Sequence, residues 1–210
     1  MIKNTFKTRV RTKAELIARK NNFLKIINIL EKKKINFFLQ GGVLLGARRD
    51  KNFIKWDWDI EISLFAEDLL KNFEYLENKL INKNFKIINH NKTHFTPKIA
   101  FIRKNDDSTF FSLIGWKYNK INKSYTRRKF KIPEKFLKNL TKINFLNRKF
   151  NCPNPIDEYL KHQYGNWKKP LISHNKNEYL SSKFYDGSDS FFDYKDKLIN
   201  IFKGLKNFTS

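Results

Sequence analysis

The chain has 210 residues, enough for one domain with a substantial core, and 21 Phe, 8 Tyr and 4 Trp supply apolar material for it. One cysteine, Cys152, excludes an intramolecular disulfide. The absence of any 18-residue apolar run excludes a membrane-spanning helix, and Met1-Ile2-Lys3-Asn4 lacks a signal-peptide core, so a cytoplasmic setting is expected. Lys and Arg total 44 against 20 Asp and Glu, a net +24 with two readings: attraction of phosphorylated substrates, nucleic acid or anionic lipid, or an AT-rich coding bias that enriches Lys, Asn, Ile and Phe together. The lysines are scattered along the chain and not gathered into a tract.

From Lys13 to Lys33 the spacing of Leu16, Ile17, Leu24, Ile27 and Leu30, with lysines between them, predicts an amphipathic helix. Ile35 to Leu39 reads as a short buried strand ending in a tight turn at Gly41-Gly42, and Val43 to Arg49 as the first turns of a helix. Ile60 to Leu64 alternates as a strand does. Ala66 to Asn82 has helical periodicity in Leu69, Leu70, Phe73, Leu76 and Leu80, with Glu67 and Asp68 near its start, where the helix dipole favours acids. The pattern then turns to strand at Phe85–Ile88, Pro97–Arg103 and Ser108–Tyr118, the last two separated by a turn at Asn105-Asp106-Asp107. One more short strand is predicted within Ile143–Phe150, and Ile156 to Tyr164 reads as a helix closed by Gly165. No repeat and no linker rich in Pro, Gly or Ser divides the chain. The expectation is a single domain over 1–210, α/β (α+β) in class, with a mixed sheet flanked by helices and a small C-terminal helical extension; residues 176–210 stay unassigned.

The chemistry concentrates in one segment. On a strand, residues i and i+2 share a face, so Asp59 and Glu61 point the same way, and Asp57 shares their parity at the strand's mouth. Clustered carboxylates suit a divalent cation that neutralises the charge of a nucleoside diphosphate or triphosphate. A glycine turn feeding a helix N-terminus offers backbone N–H groups to phosphate, and Gly41-Gly42 is such a turn. The expected site is therefore Asp57, Asp59 and Glu61 as metal ligands and catalytic acids for Mg²⁺ or Mn²⁺, with Gly41 and Gly42 as substrate-binding residues. Arg49 either pairs with phosphate bidentately or braces the carboxylates, and Trp58 either lines a pocket for a base or a choline-like head group or belongs to the core. Cys152 has no flanking base, and His90, His94, His162 and His174 show no metal-ligand spacing.

Strand, Gly-Gly, helix, then Asp-apolar-Glu resembles the polymerase-β-like nucleotidyltransferase superfamily. The residues between sharpen the likeness. Gly42-Val43-Leu44-Leu45-Gly46-Ala47-Arg48-Arg49 followed by Phe53-Ile54-Lys55-Trp56-Asp57-Trp58-Asp59-Ile60-Glu61 resembles the LicD family, which includes phosphocholine transferases and fukutin-related proteins. Cys152-Pro153-Asn154-Pro155, Tyr159-Leu160 and Tyr164-Gly165-Asn166-Trp167 resemble that family's C-terminal pattern, so the resemblance spans about residues 35–170. It implies a nucleotidyltransferase-type fold and a metal-dependent transferase. The implied reaction moves a phospho-alcohol, phosphocholine or a polyol phosphate, from a CDP-linked donor onto a sugar of a cell-surface glycan, and peripheral contact with anionic membrane would fit it.

The departures from the pattern are Val43 for Thr, Lys55 for Pro and Glu61 for the last Asp. The third carboxylate that the superfamily places on a neighbouring strand is missing. Thr109 to Trp116 carries no acid, and Ser112 stands where one is expected, leaving Asp57, Asp106 or Asp107 to complete the set. Two other readings share the same acids: a nucleotidyltransferase acting on RNA or protein, the nucleic acid being the less favoured partner, and a degenerate nucleotide-binding protein without catalysis.

Overall fold

The computed structural model describes residues 9–173 and 175–185. Helix α1 (Lys13–Lys32) opens on a capping box in which Thr12 accepts from the Glu15 backbone N–H and Glu15 reaches back to Thr12. Its inner face is not quite the predicted one. Phe23, Ile26, Ile27 and Leu30 are buried together with Arg19 and Asn22, whereas Ile17 is exposed. The predicted strand at Ile35–Leu39 reduces to a single antiparallel bridge between Phe38 and Ser63, after which the Leu39 N–H bonds Asn151 instead. Helix α2 (Gly41–Leu45) follows and widens into a π-helical turn over Gly46–Asp50.

Strand β1 (Asp59–Phe65) leads into α3 (Ala66–Lys71) and α4 (Phe73–Asn82). The single helix expected over Ala66–Asn82 breaks at Asn72, whose side-chain amide donates to the Asp68 carbonyl at 2.8 Å and so competes with the helical ladder. Strands β2 (Phe85–Asn91), β3 (Lys98–Arg103) and β4 (Asp106–Asn119) form an antiparallel meander, and β1 joins the free side of β4 in parallel. The far half of β4 pairs with β5 (Ser124–Arg127), which pairs with β6 (Phe130–Pro133); neither short strand was expected. The result is the mixed sheet with helices that the sequence implied.

The strand predicted within Ile143–Phe150 is two strands, β7 (Thr141–Phe145) and β8 (Arg148–Cys152), in an antiparallel hairpin. Its turn residues, Leu146 and Asn147, both have positive φ, as tight hairpin turns require. Helix α5 (Ile156–Tyr164) ends at Gly165, as expected, with φ +62°, and a short α6 (Lys176–Tyr179) follows. His174 and residues 186–210 of the unassigned tail lie outside the described residues.

One face of the sheet carries Ile60, Ile62, Leu64, Phe101, Phe111 and Leu113, which join Leu69, Phe73, Leu76 and Leu80 of the helices in the core. The other face carries the polar residues of β1. Among the described residues no helix is long and apolar enough to cross a membrane.

Candidate active site

Register places Asp59 beside Phe110, Glu61 beside Ser112 and Ser63 beside Ile114, while β3 adds Ile102, Ala100 and Lys98 to the same three rows. The acid side chains therefore stand on the sheet face opposite the helix-packed core, as alternation requires. Asp57 precedes the strand. Its carboxyl and that of Asp59 are hydrogen-bonded to each other, and the Asp59 backbone N–H also donates to Asp57. Burial is the main cause that raises the pKa of Asp57, opposed by the Arg19 charge. Asp59 is held well above the usual carboxylate range, first by burial and then by the charges of Asp57 and Glu61.

Gly42 lies directly against Asp57, and Gly41 precedes it. Gly41 has φ +61°, which lets the chain turn from the Phe38 bridge into α2. A Cβ on Gly42 would sit 2.3 Å from Asp57 Oδ2, so only glycine lets the helix start approach the carboxylate. The turn is braced from below by α5. The Tyr159 hydroxyl donates to Gln40 Oε1 at 2.9 Å, and Gln163 and Tyr164 approach to 3.9 Å of a Cβ at Gly41. That contact gives a structural reason for the Tyr-Leu and Tyr-Gly-x-Trp pattern downstream. Burial, chiefly, pushes the Tyr164 phenol well up, and the Tyr179 phenol up to about 12, and both feel the acids' charge.

Arg49 makes its bonds outside the acid pair. Its guanidinium holds Asp50 through two bonds of 2.7 and 3.0 Å, donates to the Trp167 carbonyl at 3.3 Å and lies 5.7 Å from the Trp56 ring. It ties the π-helical turn to the end of α5, and its bonds go to neither Asp57 nor Asp59. Trp58 lies 5.5 Å from Phe110, half-buried at the edge of the acid face. Lys98 reaches across the small Ala100–Ser112 row to set Nζ 5.4 Å from the same Phe110 ring, forming a wall of two rings and an ammonium beside the acids.

The basic residues around the acids were not anticipated. Arg19, 1% exposed, donates from Nη2 to the Asp57 carbonyl at 2.8 Å and from Nε to Thr109 at 3.2 Å; burial lowers its pKa to about 10. Arg11, 3% exposed, is anchored by its backbone N–H to the Lys55 carbonyl, two residues before Asp57. The Lys98 ammonium is lowered by burial and sustained by Glu61.

Ser112 faces Glu61 as a buried hydroxyl with no hydrogen-bond partner. Asp106 does not fill in: its carboxylate caps its own turn at the Ser108 N–H, 3.1 Å away, and stands about 13 Å along β4 from the Phe110 row. The side chain of Asp107 is outside the described residues. Among the described residues no three His, Cys, Asp or Glu side chains converge as a complete metal cage, so the acids group as a contacting pair, Asp57 and Asp59, with Glu61 one step along the strand. Cys152 is buried, its thiol pushed up to about 12, and His162 bonds the Lys131 carbonyl.

Ribitol 5-phosphate transferase FKRP of Mus musculus and that of Homo sapiens are each 36% identical to the chain over 44 residues, which is 21% of the chain and 9% of the relative. The family described as LicD/FKTN/FKRP, nucleotidyltransferase domain, matches residues 34–155, more than half of the chain, from the Phe38 bridge through β8. The acid pair, the glycine turn and the sheet that mounts them all fall within this match, and the chain belongs to the LicD/FKTN/FKRP nucleotidyltransferase-domain family.

Proposed function

We propose that the protein is a metal-dependent transferase that moves a phospho-alcohol from a CDP-linked donor to a hydroxyl of a surface glycan. The observation that carries this reading is the Asp57–Asp59 carboxyl pair, hydrogen-bonded at the mouth of β1 under the Gly42 turn. The shared name of the two curated relatives, ribitol 5-phosphate transferase, supports a polyol phosphate as the transferred group.

The donor set fits Mg²⁺ or Mn²⁺. Two hard carboxylates close enough to share a proton can share an ion, and Mg²⁺ commonly takes one or two protein carboxylates with water and substrate phosphates completing its shell. Such an ion, held by Asp57 and Asp59, would neutralise diphosphate charge and stabilise the departing nucleotide. The Gly41-Gly42 turn brings α2 close enough for backbone N–H groups to meet the phosphates. Glu61, outside the pair, accepts the proton of the acceptor hydroxyl. Its oxygen attacks the phosphorus that bears the alcohol, the bond to the bridging oxygen breaks, and CMP leaves with that oxygen. Trp58 and Phe110 flank the alcohol.

One observation favours a second reading. Ser112 in place of a third acid is what a nucleotide-binding protein without turnover would carry. Incubating the protein with Mn²⁺, CDP-ribitol or CDP-choline and a glycan acceptor separates the two. Release of CMP with phospho-alcohol on the glycan is expected; metal-dependent CDP binding without turnover would overturn catalysis and leave the binder.

A further inference from the structure

Of the guanidinium nitrogens of Arg11, only Nη1 has a partner, the Arg9 carbonyl at 3.1 Å; Nε and Nη2 are buried without a hydrogen-bond partner. An unpaired buried donor on a charged group is among the more costly arrangements in a protein. It persists here because the segment is fixed on both sides. The Arg11 backbone N–H holds Lys55, Thr12 caps α1, and Arg19 on the same helix holds the Asp57 carbonyl. The Arg11 guanidinium lies close enough to disfavour the charge of Arg19, Arg9 does the same to Arg11, and Arg11 and Arg19 are both sustained by Asp57 and Asp59. Arg19 has its bonds, to Thr109 and Asp57, whereas Arg11 has two N–H groups left over in a fork that matches two oxygens of one phosphate.

Charge count points the same way. Arg11, Arg19 and Lys98 formally balance Asp57, Asp59 and Glu61. A divalent ion joining the acids leaves two positive charges over, which the two charges of a diphosphate diester cancel. We propose that Arg11, outside the stretch matched to the family, is a binding residue for the donor's diphosphate, offering Nε and Nη2 to its oxygens. The proposal rests on the functional reading above.

The test is calorimetry with Mn²⁺ on the full chain, using CDP, inorganic pyrophosphate and cytidine as probes. Arg11→Gln is expected to weaken CDP and pyrophosphate binding on the order of tenfold to a hundredfold, leaving cytidine binding unchanged. Arg11→Lys keeps the charge but loses the fork, and is expected to recover only part of the affinity; it also serves if the Gln variant fails to fold. An arginine that only balances the acids would be replaced by Lys without loss, so full pyrophosphate affinity in Arg11→Lys overturns the proposal, as does full affinity in a folded Arg11→Gln. If the unaltered protein binds neither CDP nor pyrophosphate with Mn²⁺, the functional reading fails first and takes this inference with it. If it binds both and the variants match it, only the role of Arg11 falls.

Discussion

The two halves of β1 share one neighbour, β4, yet treat their polar groups oppositely. At the far half Ser63 is buried and satisfied, its Oγ accepting from Trp116 Nε1 at 3.1 Å across the pair, and Leu64 and Phe65 close the core around it. At the near half Asp57 and Asp59 crowd each other, and Ser112 is buried opposite Glu61 without a partner. A chain that can satisfy a buried hydroxyl two residues further on does not leave these groups strained for want of means. Unsatisfied polar groups cluster where a ligand is to be bound, and satisfied ones where only the fold is served.

The contrast can be broken in several ways. Asp59→Asn should abolish transfer, by on the order of 10³-fold or more, while the fold persists; turnover near that of the unaltered protein would remove Asp59 from the site. The same variant has a stability signature. Asp59 has a folded-state pKa above its unfolded value, so its contribution is favourable at low pH and lost as pH rises through the folded pKa. Near neutral pH without divalent ion, Asp59→Asn should therefore melt higher by a few degrees. The gap should narrow as pH falls through the folded-state pKa of Asp59, and Mn²⁺ should stabilise only the unaltered protein. A gap independent of pH would show that the carboxyl is not strained.

Gly42→Ala tests the approach of the turn to the pair. Its Cβ would meet Asp57 Oδ2 at 2.3 Å, and the displacement should lower activity on the order of 10²-fold with modest loss of stability. An active Gly42→Ala enzyme would mean that the close approach is incidental.

The smallest effects compare the two serines. Ser63→Ala strands the Trp116 indole N–H and should cost about 1–3 kcal/mol, read as a lowered denaturation midpoint. Ser112→Ala removes a hydroxyl that bonds nothing and should leave the midpoint unchanged or slightly raised. Equal losses in both would erase the distinction drawn between the halves.

The sheet and the acids were legible because their signals are local. Alternation in Asp59–Phe65 gives the strand and its faces, and Gly165 marks the end of α5 by the conformation it alone tolerates easily. What escaped notice depends on partners distant in sequence or on side chains used against their usual habit. β5 and β6 are only four residues each, too short for a clear alternation, and exist because the far end of β4 offers an edge. The β7–β8 turn places Leu146 at positive φ, where Asn or Gly would have announced a hairpin. Arg11 and Arg19 sit in no motif, yet arginine is scarce in this chain, nine of 44 basic residues, and in a lysine-rich chain that scarcity was the available signal. Arg49, which family likeness brought forward, bonds Asp50 and Trp167, because residues adjacent on a helix can face different neighbours.

The bond from Tyr159 to Gln40 joins positions 119 residues apart. During synthesis the acids and glycines emerge early, but the helix that braces their turn arrives only after β8 has been made. Until then a nascent chain holds the acids and glycines without the geometry, so the assembled acid face should appear in one step, late in elongation, and not grow with length.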